Sequence, residues 1–425
     1  MDMKPKAIVI ILLSLFLPGL ASAQNCVECH KGAGIFTARK VTPGIVADWE
    51  LSKHSQNGVD CSVCHGTEHQ SYNDVAKAKI PTPETCGRCH EEKLAQFKQG
   101  KHALAWSSMK ALPTVHWQPM ALTEGMEGCS GCHKIGLKTE AEIAELKEEG
   151  HRFGVASCDA CHTRHTFSLD EARSPQACET CHMGYDHAQW EMYSSSKHGV
   201  RQALKQSKVL PQTVSAPTCQ SCHMQEGNHA VRTAWGFLAV RLPMPEDSQW
   251  AADRTTVLQA LGVLDPDGKP TPRLDVVKKA DLARFTQDDW QHERDKMVKT
   301  CNQCHSVNFV RAELAKSDDM IRDADHLMSK AIRVVASLYE DGTLRKPETY
   351  AYPFPDWLTF HDAPALIEQK LFEMYSEHRT RTFEGAFHSS PDYELWYGWS
   401  EMQRDLTEIN EMARQMRLEA RGPRR

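Results

Sequence analysis

The sequence predicts a mostly α-helical protein in two styles: short helices and loops as far as residue 305, then a bundle of long helices. Three observations predict it. Cys-x-x-Cys-His occurs eight times before residue 306 and takes up all sixteen cysteines. β-Branched residues are scattered and alternating apolar–polar runs are short, so strand signal is weak. Beyond His305, apolar residues recur at helical spacing over long stretches.

The N-terminus reads as an export signal. Lys4 and Lys6 precede an apolar run over residues 7–17, broken by Pro18 and Gly19, and Ala21-Ser22-Ala23 supplies a small-residue cleavage site. Residues 1–23 are therefore expected to be removed, leaving a periplasmic protein with Gln24 as its first residue and no membrane span. The formal charge of −6 becomes −7 without Asp2, Lys4 and Lys6. That acidity argues against a nucleic-acid partner and suits a basic electron-carrier cytochrome.

The eight motifs pair Cys26 with Cys29, Cys61 with Cys64, Cys86 with Cys89, Cys129 with Cys132, Cys158 with Cys161, Cys178 with Cys181, Cys219 with Cys222 and Cys301 with Cys304. In each, two thiols three residues apart can add to the two vinyl groups of one haem, and the next residue can reach its iron. Those histidines are His30, His65, His90, His133, His162, His182, His223 and His305. Zinc sites and disulfide scaffolds also pair cysteines, but neither requires a histidine after every second one. Eight covalently bound c-type haems follow, at about 50 residues of mature chain per haem, so the porphyrins must form much of the core. The predicted class is thus a multihaem cytochrome c fold.

Motif starts are separated by 35, 25, 43, 29, 20, 41 and 82 residues, which excludes a solenoid of equal units. The haem-binding part is read as residues 24–305, with a haem-free helical insert at about 240–300. Within it, residues 250–261 and 274–285 have helical spacing around a turn at Asp265-Pro266-Asp267-Gly268-Lys269-Pro270. Residues 306–425 form the C-terminal bundle. Its first helix is predicted over 307–340, with Val310, Leu314, Ile321, Met328, Ile332 and Val335 inward and a stop near Gly342. Two more helices are predicted over 364–384 and 394–418, before a frayed basic tail.

Fourteen histidines lie outside the motifs. An electron-transfer haem takes a second strong axial ligand, whereas a catalytic haem keeps a position open. His54, His102 and His198 each follow a lysine at the end of a short amphipathic segment carrying an aromatic residue. His69, His165 and His229 lie three to six residues past a motif histidine, a distance that suits a neighbouring haem. His388, in Gly385-Ala386-Phe387-His388, has apolar surroundings in which an imidazole needs a partner. These seven are the candidate distal ligands. His116, His292 and His361 read as solvated; His151, His326 and His378 stay undecided.

The run Cys178-Glu179-Thr180-Cys181-His182-Met183-Gly184-Tyr185-Asp186-His187-Ala188-Gln189-Trp190-Glu191, leading into Ser196-Lys197-His198-Gly199, resembles the octahaem hydroxylamine oxidoreductase family. So do residues 158–168 and 385–393. The pentahaem ammonia-forming nitrite reductases are more distantly similar, through Asp186-His187 and Phe387-His388-Ser389-Ser390-Pro391. The resemblance implies that the Cys129 motif carries the catalytic haem, with His133 in the place of the reductases' lysine. It implies Asp186 and His187 as a distal proton-transfer pair; the bland alternative makes His187 a ligand supported by Asp186. It also implies a homotrimer. In the oxidising members a tyrosine of a neighbouring subunit is linked to the catalytic haem; Tyr393 is the first candidate here and Tyr397 the second. Three functions stay open: oxidation of hydroxylamine, reduction of nitrite or hydroxylamine, and a conduit with no small nitrogenous substrate.

Overall fold

The computed structural model describes residues 20–31, 44–107, 129–151, 154–184, 188–232, 242–279, 286–348, 350, 354–357 and 363–422. Residues 1–19, within the expected signal, His116, Asp186, His187, His361 and the last three residues of the tail lie outside them. Among the described residues the structure is helices and loops, with one isolated bridge, Leu264 to Pro270, closing the turn after Asp265. Contacts divide the chain into two compact units, Met1–Pro81 with His162–Ser168, and Thr82–Cys161 with Leu169–Arg425.

Among the described residues, the first unit is made of short helices, of which Leu20–Lys31 is the longest. Its Cys61–His65 helix starts where the Asp60 carboxylate accepts the Ser62 and Val63 amide hydrogens at 2.8 and 3.3 Å. Such a cap satisfies donors that a helix this short cannot satisfy internally.

In the second unit the Val307–Glu340 helix is the central element. The Ser306 hydroxyl accepts the Phe309 amide hydrogen at its start, and Gly342 at φ +72° follows its end. Ile321, Ala324, Met328, Ala331, Ile332, Val335 and Leu338 are buried along one face, the stripe expected of a core-facing helix. Against it pack Ser248–Ala260, Leu366–Glu373 and Ser400–Ala420. The insert is thus part of this core, and its last helix, Gln287–Cys301, delivers the eighth motif. The two later predicted helices are each composite, because the π-helical turns Met374–Arg379 and Asp392–Trp399 re-aim their faces. A Cβ at Gly385 would lie 2.6 Å from the Glu394 nitrogen, and one at Gly398 would lie 2.6 Å from Thr382 backbone. Only glycine lets these segments approach so closely.

Charge is buried in this core. Asp325 receives Arg254 Nε and Nη2 at 2.7 and 2.5 Å, Arg379 Nη2 at 2.6 Å and Trp250 Nε1 at 2.8 Å. Burial pushes the Asp325 carboxyl up, but the two guanidinium groups and these hydrogen bonds outweigh it and hold it below the usual carboxylate range.

Apolar burial is uneven. Of the described buried apolar side chains, nine precede residue 250 and 28 follow it. The motif-rich part therefore lacks an apolar core of its own making, as expected if another group fills it.

Candidate haem-binding centres

Each motif is a helical turn or close to one, so its cysteines at i and i+3 and its histidine at i+4 share a face. The histidines are then oriented from behind. His133 Nδ1 donates to the Ala105 carbonyl at 2.9 Å, His65 Nδ1 to that of Lys79 at 3.2 Å, His388 Nδ1 to that of Glu384 at 2.7 Å and His229 Nδ1 to that of Gly227 at 2.9 Å. A carbonyl oxygen only accepts, so Nδ1 carries the proton and Nε2 keeps a lone pair for a metal. The Asp74 carboxylate, 2.9 Å from His69 Nδ1, sets the same tautomer.

Five motif histidines face five other histidines. Ring centres are 6.3 Å apart for His30 and His69, 6.3 Å for His65 and His165, 6.0 Å for His182 and His102, 6.4 Å for His223 and His388, and 6.1 Å for His305 and His198. Two imidazoles bound to one metal atom, with bonds of about 2 Å and roughly 1.1 Å from nitrogen to ring centre, stand about 6.3 Å apart. Rings in van der Waals contact would stack closer. Each pair therefore has the spacing of a bis-imidazole site. Burial and the facing ring pull His102 down to about 4; burial, then His388, does the same for His223. Both stay neutral, the state a metal requires.

His54 and His229, the other two candidate ligands, are also fixed in place. His54 stands edge-on to Phe167 at 4.9 Å, five residues after His162. His229 is bound through its amide to Gln96 Oε1 at 3.1 Å, and Lys93 Nζ reaches the Gly227 carbonyl at 3.2 Å. Gln96 and Lys93 belong to the Glu91–Gln99 helix that follows His90. Among the described residues, no histidine ring faces His133. Of the undecided histidines, His326 bonds Asp253 at 2.9 Å and His378 bonds Asp405 at 2.5 Å, which makes both structural. His292 is exposed.

Thiols of different motifs come together. Cys26 lies within hydrogen-bonding reach of Cys61, Cys86 of Cys158, and Cys178 of Cys219. Cys132 Sγ is 4.0 Å from the Thr180 carbonyl, next to Cys181. Burial, then Cys26, pushes the Cys61 thiol up to about 11; burial, then Cys301, does the same for Cys222. Such thiols stay protonated until they are attached. Groups held by these motifs would be near neighbours, an arrangement suited to passing electrons.

Two residues that the sequence did not single out join these centres. Gln189 Nε2 donates to Glu384 Oε2 at 2.7 Å while its Oε1 faces His182 Nδ1 at 3.4 Å, linking the sixth motif to the segment carrying His388. Glu191 accepts the Gly184 amide hydrogen at 2.9 Å, at the residue that precedes the undescribed stretch 185–187. Tyr393 lies in the Asp392–Trp399 turn, 5.1 Å from Tyr397. Burial, then Glu191, raises its pKa.

Paired thiols at attachment spacing, with oriented imidazoles facing one another across a metal-sized gap, define a c-type cytochrome carrying several haems. The family described as "Seven times multi-haem cytochrome CxxCH" matches residues 56–257 and 273–351, two thirds of the chain, and the chain belongs to it. Seven motifs, from Cys61 to Cys301, fall in the matched residues; the Cys26 motif precedes them. The chain is 27% identical, over 93% of its length, to a Kuenenia stuttgartiensis protein described as "Probable nitrite reductase-hydroxylamine oxidoreductase fusion protein". It spans about half, 52%, of that relative. Its fold is similar to that of a Kuenenia stuttgartiensis "reducing HAO-like protein complex", with TM-score 0.67 and 22% identity over 94% of this chain and 86% of that one. A "Hypothetical multiheme protein" gives TM-score 0.65 and 20% identity over 96% and 99%. The resemblance and the mostly α multihaem fold read from the sequence agree with these relatives.

Proposed function

We propose that the chain is a periplasmic octahaem oxidoreductase that oxidises hydroxylamine at the fourth motif and passes the electrons through seven bis-histidine haems. One observation carries this reading: five motif histidines face a second histidine at metal-spanning distance, and of the other three, His162 and His90 each have a candidate ligand held nearby, His54 and His229, whereas His133 has none among the described residues. His54 with His162 and His229 with His90 complete the seven. The first two share one compact unit and the second two share the other.

A haem held by Cys129, Cys132 and His133 supplies an iron with an open position for a nitrogen ligand and an acceptor for its electrons. The chain's own residues do the rest. The Ala105 carbonyl fixes the His133 tautomer. Asp186 and His187 accept the protons released as electrons leave the substrate, since a carboxylate–imidazole pair can take them near neutral pH. Tyr393 and Tyr397 lie on a turn whose Trp396 and Tyr397 are 68% and 53% exposed. From there either tyrosine could serve a neighbouring subunit of a homotrimer.

The descriptions of the relatives favour a second reading, in which the same scaffold runs reductively on nitrite or hydroxylamine. The Asp186–His187 pair then delivers protons. A peptide carrying both the fourth haem and a tyrosine supports oxidation; its absence, with nitrite-dependent oxidation of a reduced viologen, supports reduction.

The decisive test is a carbon monoxide titration of the dithionite-reduced protein, with haem counted after alkaline pyridine treatment. One carbon monoxide per eight haems is expected, with a spectral change on adding hydroxylamine. No binding would leave only the conduit reading. In a companion variant, His388→Ala, the haem held by His223 loses its sixth ligand. The expected count rises from one to two carbon monoxide molecules, and one low-spin signal is replaced by a high-spin one. An unchanged count would remove His388 from the ligand set.

A further inference from the structure

An electron path needs an opening, and one motif stands beside a stretch of chain that carries cations and no carboxylate. Three motif cysteines, Cys29, Cys89 and Cys304, are exposed. Around Cys29 the charges are mixed: Glu28 precedes it, and Lys31 pairs with Glu50 at 2.6 Å. Around Cys89 they are mixed too, with Arg88 before it and Glu91 and Glu92 after.

Cys304 differs. No Asp or Glu occurs between Glu191 and Glu226, although the chain as a whole carries −6, and this stretch contributes Lys197, Arg201, Lys205 and Lys208. The fold brings it to the eighth motif. Ser215 Oγ is 3.6 Å from Cys304 Sγ. Arg201 Nε donates to the Ser215 carbonyl at 2.6 Å and Lys205 Nζ to the Val214 carbonyl at 2.9 Å, which fixes two cations beside it. His198, in the Lys197–Gln206 helix, faces His305. That helix leaves Val200 and Leu204 exposed, Val209 follows at 68% exposure, and Phe309, stacked 5.0 Å from His305, is exposed as well. Apolar side chains bordered by cations, beside an accessible redox group, have the composition of a protein-docking surface.

We propose that this face docks an acidic redox protein, which exchanges electrons with the group held between His198 and His305. This rests on the haem assignment above. One electron crosses per encounter, oxidising one partner and reducing the other, with no bond made or broken. The net charge of the chain points to a basic partner, but the local sign is opposite and governs close approach, because exposed charges are screened within about 8 Å at physiological salt.

The test uses the full holoprotein with a plant-type ferredoxin as acidic probe and a mitochondrial-type cytochrome c as basic control. The double variant Lys197→Glu, Lys208→Glu is expected to weaken ferredoxin binding by titration calorimetry about ten-fold or more, and to flatten the salt dependence of electron transfer. Cytochrome c binding should not weaken. Equal ferredoxin affinity in both proteins would overturn the proposal. So would a change of oligomeric mass in the variant, which would place a second copy on the face, or binding to phosphatidylglycerol vesicles that ferredoxin cannot displace. Low-spin haem is counted in parallel by electron paramagnetic resonance. A missing haem at His198 and His305 in the unmodified protein defeats the ligand assignment, whereas an intact haem with unchanged affinity defeats only the docking surface.

Discussion

Asp186→Asn is expected to lower turnover of hydroxylamine by about 10²- to 10⁴-fold, the range that a positioned general base contributes. Asparagine preserves shape and a hydrogen-bonding oxygen but cannot accept a proton at neutral pH. Each electron taken from the substrate nitrogen raises the acidity of its hydrogens, so loss of the acceptor slows the chemical step and leaves binding largely intact. The deficit should therefore fall on kcat more than on KM, and the limb of the pH–rate profile that reports the carboxylate should disappear. Run reductively, the enzyme should lose a similar factor, because proton delivery uses the same pair. Haem content and the low-spin signals should not change. Activity within about two-fold of the unmodified protein would remove Asp186 from the mechanism.

Asp325→Ala is expected to cost about 3–5 kcal/mol of stability, since it leaves Arg254 and Arg379 buried without their shared counter-ion. Chemical unfolding followed by far-ultraviolet circular dichroism measures it; a loss below about 1 kcal/mol would show that water or repacking compensates. Replacing all three residues by apolar ones of similar volume should recover much of the loss, because the desolvation cost disappears with the charges. The same carboxylate makes the core acid-sensitive. Its folded pKa is depressed, so its contribution is complete above the unfolded value of about 3.9 and is lost as pH falls through the folded one. An unfolding curve of the unmodified protein against pH should fall more steeply below pH 4 than that of the triple apolar variant.

Local features were legible and long-range ones were not. The helix over 307–340 was readable because its apolar stripe and its stop at Gly342 lie within the segment itself. The π-helical turns within the later helices were not, since they follow from the close approach of Gly385 and Gly398 to neighbouring backbone. Nothing in the sequence marks Asp325 and Asp405 as buried, and only their buried partners Arg254, Arg379 and His378 show it. His69, four residues beyond His65 in sequence, faces His30 instead, and His65 faces His165. Nothing in their spacing ranked one partner over another.

The sequence by itself determined where haems attach and which stretches become long helices, because a covalent motif and a 3.6-residue period are both written within a few consecutive turns. Only the tertiary structure decided which imidazoles share a gap, that His133 stands without a facing histidine among the described residues, and that Arg201 and Lys205 hold a cationic segment beside Cys304. Those arrangements join residues from 39 positions apart, as His30 and His69 are, to 165, as His223 and His388 are. Such contacts depend on how every intervening segment packs.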